Sequence, residues 1–216
     1  MVLLKEEKVS AYTHGALIPV MAAGTIVLMI LAGRNLSLQI VSLVYGLSAI
    51  ALFTASFLYH SRKRYPDEKS IWRRLDHSAI YILIAGTYTP MCFLYLDGWM
   101  MKGILIAQWS LVLTGIFISF LSNAPRVLTT GIYLLMGWVV VIPFKALIEA
   151  MPPAIIVLLV AGGLSYTLGA VIYALKKPNP LPPYMGFHEI FHIFVMAGAG
   201  FHLAMIITGV GTYIQS

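Results

Sequence analysis

Seven stretches of the chain carry no Asp, Glu, Lys or Arg over 18 residues or more. They are residues 9–33, 35–61, 77–96, 103–125, 127–144, 150–175 and 190–216. A helix crosses the hydrocarbon core of a bilayer, about 30 Å thick, with about 20 residues. Membrane barrel strands are about 10 residues long and alternate in polarity. The stretches therefore predict an all-α membrane protein, a seven-transmembrane-helix bundle. Because the connections are too short for a further domain, residues 1–216 are expected to form a single domain.

The composition points to the same class of protein. Hydrophobic residues make up 60% of the chain and charged residues 10%, whereas soluble domains carry about 25% charged residues. A chain this apolar cannot cover a surface that faces water, so lipid must be part of its solvent. Membrane lipids are therefore the expected partners.

Positive charges divide unequally between the two sides of the predicted bundle. The side with the N-terminus receives eleven Lys and Arg residues, and the other side receives three. The larger group comprises Lys5, Lys8, Arg62, Lys63, Arg64, Lys69, Arg73, Arg74, Arg126, Lys176 and Lys177. Because cytoplasmic loops carry the excess of these residues, we predict a cytoplasmic N-terminus and an extracytoplasmic C-terminus. Anionic headgroups then account for the net charge of +6, and no nucleic-acid partner is expected.

Four ionisable residues fall at the same end of the predicted bundle. His60 ends the second helix, Asp76 starts the third, and His188 and His192 start the seventh. The loop charges place all four at the cytoplasmic ends of their helices. Ionisable groups within membrane spans are costly and usually mark function. The four residues therefore predict a functional site near the cytoplasmic face.

The spacing of these residues favours a metal site. His188 and His192 are four residues apart, so they share one helical face at a separation of about 6 Å. Ser56 has the same spacing from His60. Three neutral histidines and a water form the catalytic type of zinc site. We therefore predict zinc as the cofactor, with His60, His188 and His192 as its ligands. Asp76 would hold the water or orient a ligand ring.

Other polar residues have weaker interpretations. A lone histidine near a helix end is more often interfacial or hydrogen-bonded than a ligand. Residues 188–192 match the H-E-x-x-H motif of zinc proteases, but here they open a membrane helix. Glu189 lies about 100° around that helix from its neighbour and is expected to face headgroups. His14 is expected near the same cavity, and His77 is expected to point away from the metal. His202, about 15 Å deeper, is interpreted as a hydrogen bonder inside the bundle.

Four segments carry a resemblance to a known family. They are 56–60 (SFLYH), 76–81 (DHSAIY), 85–90 (AGTYTP) and 188–202 (HEIFHIFVMAGAGFH). In this order they are similar to the bacterial haemolysin III proteins, the prokaryotic branch of the progestin and adiponectin receptor (PAQR) family. The resemblance extends along nearly the whole chain and implies seven helices with a cytoplasmic N-terminus. It also implies a multi-pass protein of the bacterial cytoplasmic membrane.

The resemblance also implies roles for particular residues. Zinc would be held by the residues that match His60, His188 and His192. The residue that matches Asp76 approaches the metal through water, and Ser56 matches a serine beside the site. Eukaryotic relatives are receptors credited with hydrolysing ceramide-like amides, and bacterial relatives are linked to membrane-fluidity homeostasis.

Three functions remain open at this point. The first is an intramembrane zinc hydrolase of lipid amides, in which Asp76 accepts a proton from water and Ser56 donates to the developing oxyanion. The second is a non-catalytic sensor or receptor of membrane state, in which structural zinc ties the helices together. The third is a pore-forming cytolysin, as the haemolysin name implies. It is disfavoured because no segment has the pattern of an amphipathic pore.

Overall fold

A computed structural model describes residues 5–65, 68, 70–121, 125–182 and 184–215, and it describes the backbone alone for Lys5, Glu6 and Arg126. Parts of the sequence predictions lie outside the described residues. They are Lys69 of the basic connection, residues 122–124 of the fourth predicted span, and Ser216 at the end of the seventh.

Within these ranges the protein is all-α. The elements in chain order are α1 (Lys5–Ala32), α2 (Leu36–Arg62), α3 (Ile71–Tyr95), α4 (Gly98–Leu121), α5 (Arg126–Trp138), a 3-10 turn (Val139–Val141), α6 (Phe144–Ala150), α7 (Pro153–Leu175) and α8 (Phe187–Tyr213). Six of the helices are long and apolar enough to cross a membrane. Helix α8 is therefore the element that was predicted as the seventh span.

The fifth predicted span is bent. The segment Val127–Val141 and helix α6 meet at an angle of 54°, so the predicted fifth span over 127–144 is a broken helix. Pro143 lies at the junction and has no N–H to donate, and its ring clashes with the carbonyl four residues before it. A helix therefore cannot continue through this position undisturbed. Counting the bent pair as one span gives up to seven spans.

Several helices extend beyond the charge-free stretches. Helix α3 begins at Ile71, after Ser70, whose hydroxyl accepts a hydrogen bond from the Arg73 backbone N–H at 3.4 Å. Serine is a favoured residue at this capping position because it satisfies one of the free N–H groups of the first turn. The early start places Asp76 in the second turn of the helix. Its backbone is therefore held rigidly next to the polar end of α2.

The packing of the helices brings distant parts of the chain to one end of the bundle. Helix α1 packs against both α2 and α8, and α3 packs against α2, α4, α5 and α8. The last turn of α2 and the first turn of α8 meet there through a contact between His60 and His188. The first turn of α1 joins them through Glu7. Polar residues from opposite ends of the sequence thus share one site.

The surface of the bundle is apolar and its interior holds polar groups. Leu113, Val157 and Ile30 are 71%, 65% and 72% exposed. In contrast, His60 and Ser56 are buried. A surface covered with large exposed hydrophobic residues is not stable in water but suits the hydrocarbon core of a bilayer. The fold therefore defines a multi-pass membrane protein.

Candidate metal centre

Three histidines from two helices converge at one end of the bundle. His60 lies in the last turn of α2, and His188 and His192 lie in the first two turns of α8. Each offers one ring nitrogen, and the three nitrogens lie within 4.8 Å of one another. His60 and His192 are buried, and His188 is half-buried. The residues named as ligands from the sequence thus lie together, and we call them the histidine trio.

One pair of nitrogens in the trio has the spacing of two ligands on a tetrahedral metal ion. The Nε2 atoms of His60 and His188 are 3.3 Å apart. With zinc–nitrogen bonds of about 2.0–2.1 Å, two ligands of a tetrahedral zinc ion stand about 3.3 Å from each other. The two nitrogens therefore have the separation of two corners of one coordination tetrahedron. Three imidazoles are also a donor set that zinc takes in sites with one open position.

Glu7, in the first turn of α1, contacts the trio through His60. Its Oε2 atom lies 2.6 Å from His60 Nδ1, and its Oε1 atom lies 2.6 Å from Lys63 Nζ. A carboxylate accepts hydrogen bonds only, so His60 Nδ1 carries the proton and donates it to Glu7. In a neutral ring, the Nε2 atom then keeps its lone pair. Glu7 therefore holds the His60 ring with a free nitrogen turned toward His188.

His14 fills the space between Ser56 and His192. Its Nδ1 atom lies 2.7 Å from Ser56 Oγ. Its ring stacks on that of His192, with centroids 3.7 Å apart and planes 10° from parallel. All three residues are buried. His14 thus lies beside the site, as expected from the sequence, and contacts one member of the trio directly.

Asp76 lies next to the trio without belonging to it. It lines the same cavity as His188 and His192, and its carboxylate interacts with the Ser56 hydroxyl and with His60. Among the described residues, the group of close ligand atoms consists of three histidine nitrogens and includes no oxygen of Asp76. This position suits a residue that acts on the trio through an intervening water.

Glu189, the acidic residue of the H-E-x-x-H motif, is buried between α1 and α8. Its Oε1 atom accepts a hydrogen bond from Ser10 Oγ at 2.8 Å, and its Oε2 atom accepts one from the Gly186 backbone N–H at 2.9 Å. The second contact satisfies the backbone N–H of Gly186, the N-cap residue of α8. The expectation that Glu189 faces headgroups is wrong, because α1 covers this side of α8. Each carboxylate oxygen accepts a hydrogen bond from a protein group, so Glu189 joins the start of α8 to α1.

A cavity of about 970 Å³ extends from the trio into the bundle. His188 and His192 line its polar end, and Met91, Leu159 and His202 line its deeper part. The walls of the deeper part are mostly apolar. A chain of methylene groups can therefore be accommodated behind the histidines.

The wall of this cavity reaches the outer surface of the bundle. Trp138, Val141 and Leu164 line the cavity and are 53%, 56% and 51% exposed. They belong to α5, the 3-10 turn and α7, so the cavity meets the lipid-facing surface next to the bend described above.

The two remaining histidines also line the cavity. His77, expected to point away from the metal, lines the wall, and its backbone carbonyl accepts a hydrogen bond from the Tyr133 hydroxyl at 3.2 Å. None of its nitrogens belongs to the close group of ligand atoms. His202 is buried, with Nε2 3.4 Å from the Leu159 carbonyl oxygen. Its interpretation as a hydrogen bonder inside the bundle is confirmed.

Neither Glu7 nor Lys63 was predicted from the sequence to act at the site. A signal was available in the spacing of Glu7, Ser10 and His14, which recur at i, i+3 and i+7 and therefore share one face of a helix. A polar stripe on an otherwise apolar membrane helix points toward the interior of the bundle.

The fold and the clustered histidines define a helical membrane protein with a candidate intramembrane metal site. Comparisons with known proteins identify the family within this class. A family model described as Haemolysin-III related matches residues 2–203. The chain is 38% identical over 202 residues to the Hemolysin-3 homolog of Bacillus subtilis (strain 168), covering 92% of each chain. It is 35% identical over 199 residues to Hemolysin-3 of Bacillus cereus, covering 91% of this chain and 88% of the relative.

The chain belongs to the haemolysin-III related family. It is also 28% identical over 187 residues to the Adiponectin receptor protein of Drosophila melanogaster, covering 76% of this chain and 41% of the receptor. This more distant similarity supports membership of the wider PAQR family. The resemblance noted from the four sequence segments is therefore confirmed.

Proposed function

We propose that the protein is a zinc-dependent hydrolase that acts on lipid amides within the membrane. The observation that carries the proposal is the position of the histidine trio at the end of an apolar cavity of about 970 Å³. Because the wall of this cavity reaches the lipid-facing surface, a lipid can enter it without leaving the bilayer. The polar end of the cavity then receives the polar part of the lipid.

The chemistry of the donor set supports zinc as the metal. His60, His188 and His192 are the proposed ligands, and Glu7 fixes the ring of the first of them. Zinc bound by three histidines supplies a water whose pKa is lowered to about 7 and a Lewis acid that polarises a carbonyl group. The three ring nitrogens leave one tetrahedral position for water or substrate.

Two residues beside the trio suit the proton transfers of amide hydrolysis. Asp76 is the proposed general base, which accepts the proton of the attacking water. Ser56 is the proposed donor to the oxyanion that develops on the amide oxygen. Where His14 Nδ1 carries a proton, Ser56 Oγ accepts a hydrogen bond from it, and the hydroxyl hydrogen is left for the Asp76 carboxylate or the oxyanion.

The relatives support a membrane function and leave the reaction open. Two are named hemolysins and one is named a receptor. Amide hydrolysis is proposed for this chain from its resemblance to eukaryotic PAQR proteins, and membrane-fluidity homeostasis is the process that the reaction would serve. A pore-forming role is not proposed, because the polar side chains of the site are buried at one end of the bundle and do not form an amphipathic surface.

The proposed orientation places this end of the bundle at the cytoplasmic leaflet. Lys63 and Arg73 line the cavity at the same end as the trio. The excess of Lys and Arg on this side supports a cytoplasmic N-terminus. Substrate would then come from the inner leaflet of the cytoplasmic membrane.

The first test is the metal content of the protein purified in detergent, measured by mass spectrometry. We expect about one zinc per chain for a three-histidine site, and loss of that zinc in a His188→Ala/His192→Ala variant. A His77→Ala variant is the matched control, since it removes a cavity histidine outside the trio and should retain zinc. Fatty acid release from an N-acylsphingosine should require the bound zinc. A folded wild type that takes up no zinc after zinc loading would overturn the proposal.

One observation favours a second candidate, a sensor of membrane state with structural zinc. The proposed ligands come from α2 and α8, so a bound ion would join two helices that are distant in sequence. The sensor predicts that zinc removal loosens the bundle and that the zinc-loaded protein leaves every lipid amide intact. Zinc-dependent release of a fatty acid would exclude this candidate.

A further inference from the structure

Helix α1 provides no nitrogen to the histidine trio, yet three of its side chains contact the residues around that trio. Glu7, Ser10 and His14 lie within an arc of about 60° on one face of α1, and all three are buried. We propose that these three residues, the α1 clasp, position the metal ligands and thereby set the affinity for the metal. This inference rests on the proposed zinc site and deepens it.

The first contact of the α1 clasp acts on α2. Glu7 Oε2 accepts a hydrogen bond from His60 Nδ1 at 2.6 Å, and both side chains are almost fully buried. A carboxylate in this position orients a ligand imidazole and increases electron density on its metal-binding nitrogen. Removal of such a partner typically lowers metal affinity by about 10- to 100-fold. Glu7 is therefore a positioning residue for His60.

The second contact of the α1 clasp acts on the first turn of α8. Ser10 donates to Glu189 at 2.8 Å, and Glu189 lies between His188 and His192 in the sequence. Because the other oxygen of Glu189 caps the start of α8, the bond from Ser10 fixes both the position and the rotation of this turn. The rotation of α8 decides whether its two ligand rings point toward His60.

The third contact of the α1 clasp restricts the ring of His192. His14 stacks on that ring at 3.7 Å and is itself held by Ser56 at 2.7 Å. A ring packed face to face against another cannot rotate without opening the stack. The rotamer of His192 is therefore fixed from α1, although the residue belongs to α8.

The contact with Lys63 distinguishes two possible roles of Glu7. Glu7 could position the ligand ring of His60, or it could only attach α1 to α2. Glu7 contacts both His60 and Lys63, which belong to the end of α2 and to its C-cap. If Glu7 only fastened α1 to α2, loss of either contact would loosen the site. If Glu7 acts on the ligand ring, removal of the Lys63 ammonium leaves the His60 contact in place. It also removes a positive charge that repels the bound cation, so zinc binding becomes more favourable by Coulomb's law.

The experiment measures zinc affinity of the full-length chain in detergent by competition with a fluorescent chelator. Glu7→Gln should bind zinc about 10- to 100-fold more weakly than wild type, whereas Lys63→Met should bind it as tightly or more tightly. Thr13→Val is the matched control on α1, since the hydrogen bonds of the Thr13 hydroxyl within the described residues go to carbonyl oxygens of its own helix. Equal weakening in Glu7→Gln and Lys63→Met, or no weakening in Glu7→Gln, would overturn the α1 clasp.

Two further comparisons distinguish the loss of a specific contact from misfolding of a variant. Glu7→Asp retains a carboxylate and should recover part of the affinity lost in Glu7→Gln. His14→Phe retains a stacking ring and should bind zinc more tightly than His14→Ala. If zinc affinity follows this pattern while no lipid amide is cleaved, the proposed hydrolase fails and the α1 clasp stands. If amides are cleaved while all these variants bind zinc like wild type, the α1 clasp fails alone.

Discussion

The ring of His202 occupies the space that a Cβ atom on residue 162 would fill. A Cβ built on Gly162 would overlap His202 Cδ2 and Nε2. The missing side chain lets α7 and α8 approach closely, as small residues do in membrane helix pairs. It also lets the His202 ring reach the Leu159 carbonyl oxygen on α7.

Substitution of Gly162 by Ala should therefore destabilise the bundle. We expect a loss of about 1–3 kcal/mol, because an added group in a packed interior forces a side chain or the backbone to move. Gly163→Ala is the control, since a Cβ there meets no described atom within 4 Å beyond the nearby backbone of its own helix and alanine favours helix by up to about 1 kcal/mol. Unfolding in detergent measures both variants. Equal stability of the two would contradict the close approach of α7 and α8.

Zinc should stabilise the wild-type protein against unfolding. A ligand that binds the folded state alone contributes about 2.7 kcal/mol at a concentration one hundred times its dissociation constant. The increase in Tm on zinc addition should disappear in His188→Ala, which removes one nitrogen of the trio. A chelator should reverse the increase in wild type. A rise in Tm of the same size in His188→Ala would place the metal elsewhere.

Asp76→Asn should separate catalysis from metal binding. If Asp76 is the general base, its loss lowers the hydrolysis rate by about 10²- to 10⁴-fold. Zinc content should remain that of wild type, because no Asp76 oxygen belongs to the close group of ligand atoms. Rate and metal content are measured on the same preparation. Loss of zinc together with activity would instead make Asp76 a direct ligand.

The orientation of the chain can be tested with reporter fusions. A reporter that needs disulfides folds only outside the cytoplasm, so it should be active when fused after Tyr213 and inactive when fused in the basic connection after Arg64. The expectation follows from the distribution of Lys and Arg. The opposite activities would reverse the topology and place the trio at the outer leaflet.

Much of the fold and part of the site could be predicted from charge and hydropathy. Runs without charged residues mark the helices, and the ends of these runs placed His60, Asp76 and His188 at one face before any contact was known. The exact helix bounds could not be predicted in this way. Helix α3 begins at Ile71, because charged side chains at a helix end extend toward the interface without breaking the helix.

A proline in a membrane span indicates a kink or a helix end, but the sequence pattern does not tell at which proline the helix stops. Pro19 and Pro90 lie inside the continuous helices α1 and α3, whereas Pro143 lies where a helix stops. Neighbouring helices can compensate for the lost hydrogen bond of a membrane proline, and that depends on packing rather than on local sequence.

The role of Glu7 was missed for a similar reason. The contacts of α1 with both α2 and α8 become visible only in the three-dimensional arrangement of the helices. Without this arrangement, an acidic residue near the N-terminus has no evident partner. The spacing of Glu7, Ser10 and His14 indicates a shared face, but it does not say which helices that face meets.

The contact between Glu7 and His60 has a consequence for how the protein is made. Helices α1 and α2 leave the ribosome first, so this buried pair can form within the first helical hairpin, while the segment that carries His188 and His192 is still untranslated. The trio is complete only after the last helix has been inserted beside α1. A ribosome-stalled or truncated chain lacking α8 would contain His60 without the other two histidines, so metal loading at the proposed site would require the completion of membrane insertion.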